Sequence, residues 1–249
     1  MSDTDLIILV IFLICVTYVV RRAIEDLDDQ TKFEFDKSSL EAQLDEKTLG
    51  ETKLKDIVEV GFRFDHRYKF SDQPKSLAAT IKNKSQNVHI YADWDKSTIT
   101  NYENTSRRLI RLNANKQLSS TNLPIGSQFA NPITPGNSLS VQLTAEEVVK
   151  KNAEANVLEP QVPLVDLTDL EKRAKDKVKK PSKALKDMHI KFADRQAPLE
   201  FSIRLMLRMN QIDENGRGGS EYQYPLWCKF KIYNMHWWDQ IPWNPKPKP

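Results

Sequence analysis

Residues 6–20, LIILVIFLICVTYVV, form an unbroken apolar run relieved only by Thr17 and Tyr18. A helix that is apolar on every face belongs in a large core or in a bilayer, and this constrains the chain more than any other feature. Fifteen helical residues rise only about 23 Å, short of the roughly 30 Å hydrocarbon core. Ala23 and Ile24 extend the apolar face, Arg21 and Arg22 can snorkel, and Tyr18 suits an interfacial ring. We therefore expect a transmembrane anchor over residues 1–24, entering the membrane through 6–20. A cleaved signal peptide would carry a basic flank and a small-x-small site. Here the flank Met-Ser-Asp-Thr-Asp is acidic, and the run ends in Val19-Val20-Arg21-Arg22. A buried core helix would show a polar stripe, which these residues lack. Arg21 and Arg22 follow the run and no Lys or Arg precedes it, so the positive-inside rule places the C-terminal body in the cytoplasm.

Composition narrows what the remainder does. With 39% hydrophobic and 29% charged residues, a polytopic membrane protein is excluded. A net charge of +3 over 249 residues is too small to argue for nucleic acid. Cys15 and Cys228 lie too far apart to suggest a disulfide framework or a cysteine-built metal cluster. Seven glycines leave little room for phosphate-cradling loops, and no cofactor is expected.

Residues 25–50 read as an acidic linker or a mostly polar helix; from 23 to 50 there are nine Asp or Glu against three Lys, a net of −6. From residue 57 the hydrophobic period becomes two. Val58, Val60, Phe62 and Phe64 alternate with polar positions, as do Leu77, Ala79 and Ile81, then Val88, Ile90, Ala92 and Trp94. Further strands are expected around Leu109–Leu112 and over Leu139, Val141 and Leu143, the latter after the turn Pro135-Gly136-Asn137. Thr144 with Glu147 fits a capping box opening a short helix through about Asn152. Glu159, Pro160 and Pro163 mark a linker. Thr168 with Glu171 fits a second capping box, for a helix limited by Pro181. Strands return at Met188, Ile190 and Phe192, at Phe201–Leu207, and at Tyr222–Ile232, with a flexible connection over 208–221. The whole reads as mainly β: an antiparallel immunoglobulin-like β-sandwich over 51–249, with a helical insertion at about 144–186 and a Trp/Pro-rich tail.

Chemistry-bearing candidates are few. Asp93 and Asp95 share one side of an extended strand and could hold a cation. The simpler reading ends the strand at Trp94 and uses Asp95 and Ser97 to cap a turn. In SRRLIRL, Arg107, Arg108 and Arg111 form a partner-binding candidate; alternation puts Arg107 and Arg111 on one face, where they could pair with Asp93 or Asp95. His66, His89, His189 and His236 have no neighbours at metal-ligand spacing, and no metal site is expected. No GxSxG, HExxH, P-loop or dinucleotide fingerprint occurs. The stretch 171–191 holds nine Lys or Arg against three acids, a net of +6, so Lys172, Arg173, Lys175, Lys179 and Lys180 form a basic patch suited to anionic lipid or an acidic partner. Trp237, Trp238 and Trp243, amid C-terminal prolines, are expected to form contact surface.

The anchor DLIILVIFLICVTYVVRR and the strings IKNKSQNVHIYADWDKSTI and SRRLIRL resemble uncharacterised single-pass membrane proteins of cyanobacterial type. The resemblance covers the anchor and roughly residues 52–145. It implies a thylakoid or plasma membrane location and carries no known chemistry. The expectation is a non-enzymatic, membrane-anchored β protein that binds or scaffolds other proteins, such as an assembly factor or accessory subunit. The alternative is a module binding lipid or a small ligand at the membrane surface.

Overall fold

The computed structural model describes residues 3–28, 30–112, 128–151, 158–212 and 218–236. Helix α1 (Asp3–Asp28) opens the chain. Its stretch Thr4–Ala23 is long and apolar enough to cross a membrane, and none of that stretch is buried against the body. Twenty helical residues rise about 30 Å, so the helix gains the length that the apolar run alone lacks.

The chain then enters the body at once. Strand β1 (Gln30–Phe35) is followed by α2 (Lys37–Glu46), the small hairpin β2 (Thr48–Leu49) and β3 (Thr52–Lys53), and the single turn α3 (Leu54–Ile57). Strands β4 (Val58–Arg63), β5 (Tyr68–Lys69), β6 (Leu77–Asn83), β7 (Val88–Thr100), β8 (Ser106–Leu112), β9 (Asn131–Ile133) and β10 (Ser138–Ala145) come next. A short pair, β11 (Val149–Lys151) with β12 (Leu158–Pro160), leads to α4 (Leu167–Lys175) and α5 (Lys183–Ala193). The long strands β13 (Leu199–Ile212) and β14 (Gly218–Met235) close the order.

Strands account for 46% of the described residues, which makes the class mainly β. All pairings are antiparallel, in one order: β4-β6-β10-β8-β7-β13-β14-β1-β5, with β9 added to β7. The sheet curls until its two ends face each other. Phe62 of β4 meets Phe35 of β1 with ring centroids 4.9 Å apart, and Phe33 of β1 stacks on Phe64 at 5.8 Å. Phe230 of β14 sits between these ends, stacked on Phe201 at 4.6 Å and touching Phe35, Phe62 and Phe64. Burial of these rings holds the curl shut without a closing ladder of hydrogen bonds. The mainly antiparallel β class agrees with the sequence reading, and the curled sheet does not establish an immunoglobulin-like sandwich.

The curl turns its corner at β8. Residues Ser106–Arg108 pair with β7, while Leu109–Leu112 pair with β10. Leu109 and Ile110 are consecutive and both fully buried. Alternation fails there because the corner is covered on both sides.

Several sequence expectations change. The acidic segment 25–50 is no linker beyond Asp28: Thr31 and Phe33 are buried in β1, and Leu40 and Leu44 in α2. The charges of β1 and α2 hide a short alternation, since Lys32 and Glu34 simply face outward. The expected helix at 144–152 is a single 3₁₀ turn, Glu146–Val148, between β10 and β11. Thr144 is buried and donates to the Lys75 carbonyl at 2.8 Å, so its hydroxyl is not available as a cap. Glu159 and Pro160, read as linker, lie on β12. Helix α4 is capped by Asp166, which accepts from the Asp169 amide, rather than by Thr168. Met188, Ile190 and Phe192 lie on α5, not on a strand; Ser182 caps that helix by accepting from the Leu185 amide at 3.2 Å. Strands β13 and β14 also extend far into the expected loop 208–221.

Candidate functional site

Asp93-Trp94-Asp95-Lys96-Ser97 proves to be a bulge inside a continuous strand. β7 pairs Asp93 with Met206 and Thr98 with Arg204, so four residues of β7 stand opposite Leu205. The excess is absorbed by Ser97, whose buried hydroxyl donates to the Asp93 carbonyl at 2.6 Å and accepts from the Met206 amide at 3.0 Å. It thus replaces the missing ladder bond. Trp94 is fully buried and donates its indole N–H to Asn131 Oδ1 at 2.9 Å. The strand does not end at Trp94.

The bulge sends the two carboxylates to different arginines. Asp93 faces Arg208 of β13 at 3.5 Å and Lys96 at 3.9 Å. Asp95 accepts from Arg108 of β8 and from the Gln128 amide at 2.9 Å. No group of three or more His, Cys, Asp or Glu residues suited to a metal ion occurs among the described residues.

The arginines of β8 are likewise engaged, and not in the pairs that alternation suggests. Arg108 rather than Arg107 or Arg111 meets Asp95, and it also lies 3.6 Å from Glu146. Arg107 lies 3.8 Å from Glu147, and Arg111 donates to Asn131 Oδ1. The bend at Leu109 changes which side chains share a face. These three arginines pin the β7–β8–β10 corner.

The basic patch is partly engaged too. Arg173 donates to both carboxylate oxygens of Glu103, at 2.7 and 2.8 Å, and to Asp169 at 3.2 Å. The guanidinium beside Glu103 holds that carboxyl below its ordinary value, against the raising effect of partial burial. Lys175 pairs with Glu171 at 2.5 Å, whereas Lys172, Lys179 and Lys180 are exposed. His89 is half-buried on β7. Trp237, Trp238 and Trp243 lie outside the described residues.

The surface that sequence reading missed is the outward face of β7, β13 and β14. Leu226, Cys228, Phe230 and Ile232 point inward and are fully buried. The alternate position, Trp227, is therefore outward, and it is 44% exposed. Register sets Arg204 beside Trp227 and Arg208 beside Gln223 and Tyr91. The Arg204 guanidinium lies 5.8 Å from the Trp227 ring centroid, and that of Arg208 lies 5.7 Å from Tyr91. Arg208 also donates to Glu221 at 3.0 Å. Along β13 the Nε of Arg204 and the Oδ1 of Asn210 are buried without hydrogen-bond partners, whereas the Nε of Arg208 lies in the ion pair with Asp93. Two unsatisfied polar atoms on one face of a strand are costly unless something caps them. The alternation Leu226-Trp227-Cys228 is the signal that could have identified this face.

No protein-family model matches the chain, and neither a curated protein nor a solved structure matches it significantly.

Proposed function

We propose that the chain is a single-pass membrane protein in which α1 is the anchor and the curled β body is a non-enzymatic binding module for a protein partner. The role that fits is an assembly factor or accessory subunit of a membrane complex. Arg21 and Arg22 support a cytoplasmic body by the positive-inside rule. The sequence resemblance supports a thylakoid or plasma membrane.

The observation that carries the reading is the half-exposed Trp227 flanked by Arg204 on the outward face of β14. Tryptophan and arginine dominate binding hot spots, because each offers a large contact area with directed polar groups. The unpartnered Nε of Arg204 on β13 supports it, since a partner's carbonyl or carboxylate would satisfy it. A photocrosslinking residue at position 227, activated in native membranes, should give one discrete adduct. Arg204→Ala at the same time should abolish it while the body stays folded. A protein that yields only unmodified monomer would overturn the reading.

A further inference from the structure

The pairing of β1 with β14 fixes which end of the body faces the membrane. α1 ends at Asp28, and Gln30, two residues later, pairs with Met235. Antiparallel partners stand about 5 Å apart, so the end of β14 lies within a few residues of the helix. α5 is tied to the same place. Asn234 donates to the carbonyls of Phe192 and Ala193 at 3.4 and 3.3 Å, and Arg195 donates to the Met235 carbonyl at 3.4 Å. β13 runs the other way, carrying Gln211 to Val88 and so toward the pole that holds Lys55 and Lys84.

The helical hairpin at the near pole is basic and has apolar tips. Lys177, Lys179, Lys180, Lys183, Lys186 and Lys191 are exposed. Val178, between two of these lysines, is 91% exposed, and Ile190, beside Lys191, is 51% exposed. α5 has eleven residues and rises about 16 Å, so its lysines lie within one to two Debye lengths of its attached end. We propose that this hairpin, α4 to α5, is a second membrane contact, laying its lysines on anionic headgroups with Val178 and Ile190 entering the interface. The inference rests on α1 being a span. Charge complementarity selects the occupant: the cytoplasmic leaflet, toward which Arg21 and Arg22 place the body, is the anionic one. Four acids in the sequence after the anchor (Glu25, Asp26, Asp28 and Asp29) oppose the contact; residues 171–195 carry ten Lys or Arg against four acids, a net of +6, which exceeds those four.

The test uses the full chain inserted in vesicles of phosphatidylcholine alone or of phosphatidylcholine with phosphatidylserine. Acetylation of each lysine is followed by mass spectrometry. Lys183, Lys186 and Lys191 should react roughly fivefold more slowly on the anionic vesicles at low salt. High salt should abolish the difference, and Lys55 and Lys84 should react equally on both. A chain with Lys183→Gln, Lys186→Gln and Lys191→Gln should keep its Tm yet show the same amide exchange over 183–193 on both vesicles. Equal lysine rates on both lipids, as when the hairpin pairs with the acidic end of α1, would overturn the docking alone. Release of the protein by alkaline carbonate would overturn the span, and the docking with it.

Discussion

The side-chain amide of Gln43 hydrogen-bonds both backbone groups of Trp227. It accepts from the Trp227 N–H at 2.9 Å, and its own N–H donates to the Trp227 carbonyl at 2.8 Å. β1 pairs with β14 only from Phe230 to Met235. Beyond that, the edge of β14 would stand open. α2 and the residues after it close it without a strand: Gln43 covers Trp227, Lys47 donates to the Pro225 carbonyl at 2.5 Å, and the Tyr224 hydroxyl donates to the Thr48 carbonyl at 2.8 Å. A blunted edge resists pairing with another chain.

Gln43→Ala should therefore destabilise the body by about 1 kcal/mol, since water can reach the freed groups. Gln43→Glu should cost at least as much, because the carboxylate can accept from Trp227 but cannot donate to its carbonyl. Urea denaturation of the three proteins checks the order. Equal stability of all three would show that the edge needs no cover.

Ser97 makes a sharper case because it is fully buried. Its hydroxyl serves the Asp93 carbonyl and the Met206 amide within the bulge. Ser97→Ala leaves both without that partner, and the cost should be about 2 kcal/mol. Ser97→Thr keeps the oxygen and should recover part of it. If alanine is neutral, the bulge is held by Trp94 packing alone.

How much of this was readable follows from which rule governs each element. Val58 with Val60, Leu77 with Ala79 and Ile81, and Leu226 with Cys228 and Phe230 all face one core, and simple alternation located them. α5 was misread because Met188, Ile190 and Phe192 mimic alternation, although only Phe192 of these is buried and Ile190 faces out. The helical signal was Ser182 before Lys-Ala-Leu-Lys, with Leu185 and Phe192 seven residues apart on one face. β1 was hidden by its charges, and only pairing with β14, some 200 residues away, makes it a strand. The arginine partners were unreadable for a different reason: the bend at Leu109 changes the face within one strand, and nothing local encodes it.

The Glu103–Arg173 pair gives the body a definite response to acid. Arg173 lowers the folded-state value of Glu103 below its ordinary 4.5, while the unfolded chain keeps the ordinary value. The stabilisation is thus fully present above about pH 4.5 and fades as pH falls through the lowered value. Both side chains are partly exposed, so even two parallel hydrogen bonds are worth only about 1 kcal/mol. Glu103→Gln should lose that amount at pH 7, and the gap to the parent protein should close as pH falls below 4.5. Melting curves across pH 3–7 test it; a gap that stays constant would assign the loss to packing.

Cys228 offers a probe of whether the curl opens as a unit. Its thiol faces the core with no exposure, and burial pushes its pKa up to about 12. Thiolate is the reactive form, so at neutral pH the folded protein should leave Cys228 unmodified by a maleimide. Labelling must then wait for β14 to leave the sheet. The aromatic cluster at Phe230, two residues away, is what keeps β14 in place, since Phe230 touches rings from both ends of the sheet. Phe230→Ala should remove about 3–5 kcal/mol and raise the Cys228 labelling rate by the same free energy when opening is at equilibrium. Peptide mapping separates this site from Cys15, which lies on α1. Expected is labelling of Cys228 in step with the loss of sheet signal in urea, in both proteins. Labelling that runs ahead of that loss would mean that β14 detaches by itself, and that the ring cluster does not join the two ends of the sheet into one cooperative unit.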